Sequence, residues 1–277
     1  MSQFDKVYKE LIETVLDKGV MSTGNVRTVY ADGTPAHYIS YIGYQFRLDN
    51  SSDEAQLITS RYAPYKSAIR EIYWIWRSRS NKLSDLRKLG CKFWDEWELE
   101  DGTIGPAYGA ALDTPTFKFS NQVDYIINEI KNNPNSRRII TEIWIPEKLK
   151  DMALTPCVHL SQWSVVNGKL YLEVRQRSCD IALGLVANVF QYSVLHKLIA
   201  KECGLEPADL IWTISNAHIY DRHIEDLKKQ IELPTLSGFK LDLSKVNSFS
   251  EWSNPDDITV PQYADMVTNK IKYEVAI

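Results

Sequence analysis

The sequence predicts an α+β domain, one mixed sheet flanked by helices, spanning residues 1–277 as a single domain. Three observations point there. Helix-period and strand-period segments both occur, but they do not alternate regularly, which argues against a doubly wound sheet. Asn167-Gly168 sits between two β-like runs, the signature of a tight hairpin and so of antiparallel pairing. No linker, internal repeat or low-complexity stretch divides the chain.

Taken in order, Phe4, Val7, Tyr8, Leu11, Val15 and Leu16 recur at helical spacing, and Gly19 closes that helix. "HYISYIGYQFRLD" alternates like a strand. Ala68, Ile69, Ile72, Tyr73 and Trp76 in "YKSAIREIYWIWRS" predict a helix. "FWDEWELEDGTIGPAYGAAL" reads as loop, with "EDG" and "GP" as turn signals. "QVDYIINEIKNNP" predicts a helix ended by Asn-Asn-Pro, and "RRIITEIW" a strand. "HLSQWSVVNGKLYLEVRQRS" is the hairpin. A helix from about Asn188 to Lys201 carries Phe190, Val194, Leu195, Leu198 and Ile199 on its apolar side. "LIWTIS" is a strand leading to a helix expected near His218.

Composition narrows the function. A net charge of −4 gives no reason to expect a nucleic acid or an anionic membrane as partner, so any basic site is a local cluster. No apolar run approaches a membrane span, and the amphipathic, acidic start lacks a signal-peptide core. Cys91, Cys157, Cys179 and Cys203 show neither CxxC spacing nor a dense framework, which fits a reducing cytoplasmic setting without zinc or disulfides. Neither GxGxxG nor GxxxxGKS occurs.

Candidate chemistry gathers late in the chain. Cys157, in "MALTPCVHL", is a lone cysteine; most such residues are buried hydrophobes, and convergent arginines would make it a thiolate. Arg137-Arg138 and Arg175/Arg177 are arginine pairs; each alone is ordinarily a solvated charge, yet a guanidinium fork also matches phosphate oxygens. Ser178 adds a hydroxyl at the strand end. Asn188 is either a helix N-cap or an amide able to read a flat heterocycle. His218 and Tyr220 are two apart, so they converge only if they lie at a strand end or a first turn. The spacing of His residues offers no metal site.

In combination, "ALTPC", "QRSCDIALG", "NSRRII", "WDEW…DGTIGPAYG", "HIYDRH" and the terminal "VAI" resemble thymidylate synthases, in the same order and over nearly the whole chain. The variety with an "ADGTPAH" insertion and Val after the cysteine is the nearest match. The resemblance implies a homodimer with a thymidylate-synthase-like α+β fold. It implies transfer of one carbon from 5,10-methylenetetrahydrofolate to C5 of deoxyuridylate (dUMP). Cys157 would be the nucleophile at C6. Arg27, Arg177 and Ser178 would hold the 5′-phosphate, with Arg137 and Arg138 supplied by the partner subunit. Asn188 would pair with N3–H and O4 of uracil, and His218 and Tyr220 with the sugar 3′-hydroxyl. Glu71 would organise water and protons at O4, and Tyr108 would help remove the C5 proton. Trp94, Trp97, Asp180 and Gly184 would face the folate, and Ile277 would close over the site and exclude water.

Two departures lie inside matching motifs. Val186-Ala187 stands where synthases have Pro-Phe, and Ser215-Asn216 where they have Gly-Asp. At "TSRYAP", residues 59–64, a Thr-Thr-Lys-type turn is expected, and Arg61 keeps a cation there. Phage hydroxymethylases of this family deviate at the first two places. A smaller wall beside the folate and an added amide would admit water to the exocyclic methylene. These departures tip the expected reaction slightly toward dUMP hydroxymethylation, in a host cytoplasm if phage-encoded. Hydride transfer giving thymidylate is the alternative, favoured by the retained Trp94 and "VAI". A catalytically impaired nucleotide- or RNA-binding homologue is a weaker one, disfavoured by the intact Cys157, Arg177, Asn188, Glu71 and Tyr108.

Overall fold

The structure, a computed structural model, describes residues 1–277. Its strands are β1 (Val20–Met21), β2 (Tyr38–Asp49), β3 (Ile140–Glu142), β4 (Val158–Val166), β5 (Lys169–Asp180) and β6 (Glu206–Tyr220). Its helices are α1 (Gln3–Lys18), α2 (Tyr65–Ile72), α3 (Leu83–Lys88), α4 (Gly109–Leu112), α5 (Gln122–Asn132), α6 (Gly184–Glu202), α7 (Ile224–Gln230) and α8 (Tyr263–Met266). The strands form one six-stranded sheet in the order β1-β2-β6-β5-β4-β3, matching the expected α+β class. A contiguous core of 67 buried residues lies between the sheet and the helices.

Local chemistry explains the elements that matter. Ser2 Oγ caps α1 by accepting from the Asp5 N–H at 3.0 Å. At the β4–β5 turn, Asn167 and Gly168 have φ of 51° and 76°, and positive φ at both central residues is what a type I′ turn needs. The segment predicted as one helix after Tyr65 changes pitch: α2 passes into a π-turn over Tyr73–Arg77. The strand predicted in "RRIITEIW" shrinks to Ile140–Glu142, in register with β4, with Ile139 and Ile143 adding one backbone hydrogen bond each to β4 at its two ends.

α6 departs most from its amphipathic reading. It starts at Gly184, four residues before Asn188, and is buried on every side. It lies between the sheet and α2, so a polar side is not solvated but bonded. Ser193 donates to Asn50 Oδ1 at 2.7 Å, Lys197 to the Asn50 carbonyl at 2.6 Å, and the His196 ring to the Leu170 carbonyl at 2.8 Å. The helix expected near His218 starts slightly later: β6 runs on to Tyr220, held by pairing to β2 and β5, a 3-10 turn follows at Asp221–His223, and α7 begins at Ile224.

Candidate active site

Strand direction gathers the candidates. β5 and β6 are the single parallel pair, joined by α6, so their C-terminal ends share one edge of the sheet. Ser178 thereby faces Asn216, and Asp180 faces His218. β4 and β2 run antiparallel to their neighbours, so their starts reach the same edge. Cys157 immediately precedes β4, and its carbonyl accepts from the Arg177 N–H at 2.9 Å. Tyr38 pairs with Tyr220, which draws in the segment carrying Arg27.

Arg177 braces the cysteine from behind. Its Nε donates to the Pro156 carbonyl at 2.8 Å, and its Nη2 to the Thr155 carbonyl and hydroxyl at 2.9 and 2.7 Å. The guanidinium also lies over the Trp144 ring, 5.2 Å from its centroid. Burial pushes the Cys157 thiol up, while the charges of Arg177 and Arg27 pull it down. Sequence reasoning missed Thr155 and Trp144, which touch the site only through Arg177.

Tyr108 reaches the cysteine from a strained backbone, with φ 46° and ψ −103°. Its hydroxyl accepts from the Cys157 N–H at 3.3 Å, and its ring meets Trp94 edge-on at 4.9 Å. Burial holds the phenol well above its ordinary pKa, so it is neutral. Gly105, in the same loop, has φ +72°, and an added Cβ would lie 2.1 Å from the Asp151 carbonyl.

Asn188 lies within a buried polar relay. Trp212 Nε1 donates to Gln176 Oε1 at 2.9 Å, and Gln176 Nε2 to Asn188 Oδ1 at 3.2 Å. Asn188 Nδ2 donates to Gln191 Oε1 at 3.1 Å, and Gln191 Nε2 to Glu71 Oε2 at 2.6 Å. Trp94 Nε1 donates to the other Glu71 oxygen at 2.6 Å. An indole can only donate and a carboxylate only accept, so the two ends orient all three amides. Burial pushes Glu71 up, and its two donors pull it down. Trp94 therefore serves Glu71 through its N–H. Gln176, Gln191 and Trp212 went unnoticed in the sequence, where a buried Gln looks like any other.

His218 and Tyr220 do converge, at the end of β6, with rings 5.2 Å apart. His218 Nδ1 lies 3.2 Å from Asn216 Oδ1, which also accepts from Ser40 Oγ at 3.4 Å. Burial pulls the His218 pKa down, leaving Nε2 a free acceptor on a neutral ring. Asp180 Oδ1 accepts from the N–H groups of Ala182 and Leu183 at 2.9 and 3.3 Å, the turn that leads to Gly184. Val186 is buried in the core, so only the half-buried Ala187 can open space beside the cleft. Trp97 is half-buried, edge-on to Trp94 at 5.7 Å.

Arg137 and Arg138 are not brought to Cys157 within the chain. Both are exposed just before β3, without an ion-pair partner. Ile277 pairs with Val29 through two backbone hydrogen bonds of 2.8 and 2.9 Å.

Known proteins resemble this arrangement over the whole chain. The sequence profile of the thymidylate synthase family matches residues 6–277. A thymidylate synthase of Fusobacterium nucleatum subsp. nucleatum is 62% identical over 276 residues, covering 100% of this chain and 99% of that protein. Thymidylate synthase 1 of Bacillus subtilis (strain 168) is 43% identical over 284 residues, covering 100% of both. The structure of thermostable thymidylate synthase A from Bacillus subtilis superposes with a TM-score of 0.92 at 43% identity, covering 99% of each chain.

Proposed function

The chain belongs to the thymidylate synthase family, and on that premise we propose that residues 1–277 form one domain that methylates C5 of dUMP, with 5,10-methylenetetrahydrofolate as cosubstrate. The products are thymidylate and dihydrofolate. The observation carrying this reading is 62% identity over 276 residues to a protein that is itself a thymidylate synthase. Hydroxymethylation, expected from Val186, Ala187 and Asn216, gains no support from these relatives, which are bacterial thymidylate synthases. One local fact also weighs against it: Val186 is buried in the core, so its small side chain opens no space beside the folate.

Each side chain then has a task. Cys157 Sγ, as thiolate, adds to C6 of the pyrimidine, and the electron pair moves to C5 and O4. Arg27, Arg177 and Ser178 take the phosphate dianion. When Arg177 turns its free edge to phosphate, its bonds to Thr155 and Pro156 hold the cysteine loop in place. Asn188 keeps one lone pair on Oδ1 and one hydrogen on Nδ2, which match uracil N3–H and O4. His218 Nε2 accepts from the sugar 3′-hydroxyl, and Tyr220 donates beside it. Glu71, at the end of the relay, manages the proton at O4, and Tyr108 lies on the path of the proton leaving C5. The folate supplies the carbon and, in this reading, the hydride. Its pterin donors fit Asp180 Oδ2, which the backbone leaves free, and its rings fit the walls at Trp94, Trp97, Gly184 and Ala187. Ile277 covers the cleft.

The enzyme works as a homodimer in the cytoplasm. No helix is long and apolar enough to cross a membrane. Arg137 and Arg138, exposed and unpaired, complete the phosphate site of the partner subunit, which adds cationic charge near the thiol. Incubation with dUMP and 5,10-methylenetetrahydrofolate tests the reaction. Dihydrofolate absorbance should rise in step with a methylated nucleotide. A product whose mass shows a hydroxymethyl group, without dihydrofolate, would reverse the assignment.

A further inference from the structure

Arg222 ties together three segments distant in sequence. Its Nη1 donates to both carboxylate oxygens of Glu274 at 3.1 and 2.9 Å, and its Nη2 to Asp32 Oδ2 at 2.8 Å. The guanidinium lies over the Tyr30 ring, 4.0 Å from its centroid, and the Arg222 N–H donates to the Tyr30 hydroxyl at 3.3 Å. The Tyr30 hydroxyl in turn donates to Asp221. One cation therefore holds the turn at Tyr30–Thr34, the end of β6, and the last segment of the chain. Other bonds follow the same path. Val29 and Ile277 pair through their backbones, the His223 ring donates to the Glu274 carbonyl at 2.8 Å, and Ala276 packs against Tyr30, Ala36 and Tyr220.

Arg27 lies two residues before Val29, and its charge acts on Cys157. The segment that would meet a phosphate is thus hydrogen-bonded to the segment carrying Ile277. We infer that Arg222 is a positioning residue that joins the Arg27 segment and the 273–277 tail into one unit, so that nucleotide phosphate captured by Arg27 also secures the tail over the site. The inference rests on the nucleotide reading of Arg27. Two short segments on a sheet end open independently unless something couples them. A guanidinium that gives one nitrogen to each of two carboxylates, Nη1 to Glu274 and Nη2 to Asp32, supplies the geometry for coupling. Binding energy from the non-reacting phosphate would then stabilise the closed, water-excluding state in which the methylene is quenched.

Hydrogen–deuterium exchange tests this on the full chain, with and without dUMP. At about ten times its dissociation constant, a ligand slows a linked opening by about tenfold. The wild-type protein should show such slowing at residues 26–36 and again at 270–277. Arg222→Met, at an exposed position, should keep the slowing at 26–36 and cut it severalfold at 270–277, where the Val29–Ile277 backbone bonds and the His223–Glu274 bond remain. Glu274→Gln, which weakens only the tail's arm, should do the same. Equal slowing at 270–277 in both variants would overturn the coupling while leaving the phosphate role of Arg27 intact. Absence of slowing at 26–36 in the wild type would overturn that role, and the inference with it. Inorganic phosphate in place of dUMP should give the same pattern, which assigns the effect to the anion and not to the base.

Discussion

Replacing Trp212 by Phe tests the relay from its remote end. The indole N–H is what holds Gln176 Oε1 at 2.9 Å and so points the Gln176 N–H toward Asn188. Reversing all three amides would give Asn188 the pattern that suits cytosine, a donor toward N3 and an acceptor toward the exocyclic group. In the wild-type protein reversal places the Trp212 N–H against an NH2 group, and Gln191 Oε1 against the Glu71 carboxylate. The first conflict costs about 1–3 kcal/mol as an unmade buried hydrogen bond, and the second, with a charged partner, about 1.5–3 kcal/mol or more. Trp212→Phe removes only the first. The preference for dUMP over dCMP should therefore fall by roughly 5- to 150-fold. Competition binding of the two nucleotides measures that ratio, and general weakening cancels from it. The loss should deepen as pH falls, because the reversed chain needs a proton on Glu71, whose pKa burial has already raised. An unchanged ratio, or a loss that grows with rising pH, would refute the view that the relay's ends orient Asn188.

Other outcomes follow from the same geometry. Cys157→Ser should fold normally but lose turnover by at least about 10⁴-fold, read as tritium release from C5 of labelled dUMP; retained turnover would remove the nucleophile assignment. Cys157→Ser and Arg137→Ala/Arg138→Ala proteins should each be inactive, yet regain activity when mixed under subunit exchange, with roughly a quarter of sites intact; failure to recover would place the two arginines outside the partner's site. Gly105→Ala meets both a positive φ and the Asp151 carbonyl, and should lower stability by about 3 kcal/mol in urea unfolding. Burial pushes His196 down to about 4 from 6.5, so its contribution to stability is complete above pH 6.5 and lost as pH falls toward 4. That span corresponds to roughly 3 kcal/mol, and a His196→Asn variant should show a correspondingly weaker dependence in urea titrations across that range.

Much of the molecule was legible from residue order. Helical period marked α1 and α5, alternation marked β2, and Asn167-Gly168 marked the β4–β5 turn, because each is a local pattern with a local cause. Periodicity misjudged α6, since a helix buried on all sides keeps Ser193, His196 and Lys197 only by bonding them to Asn50 and Leu170, residues more than twenty positions away. It also misjudged His218, because a β6 paired on both sides continues beyond what its own residues favour.

Residue order alone identified the family and the chemical types present: one cysteine after Pro156, paired arginines, an amide within an apolar run, and a carboxylate at Glu71. Tertiary structure alone decided which of them meet. Parallel β5 and β6 put Ser178 beside Asn216, and antiparallel β4 delivered Cys157 to Arg177. The fold placed Trp212 and Glu71 at opposite ends of one amide chain, and Arg222 between Asp32 and Glu274. The difference is one of range. Backbone preferences act over a few residues, whereas a hydrogen bond or an ion pair needs atoms within a few ångströms, and only the folded chain brings them there.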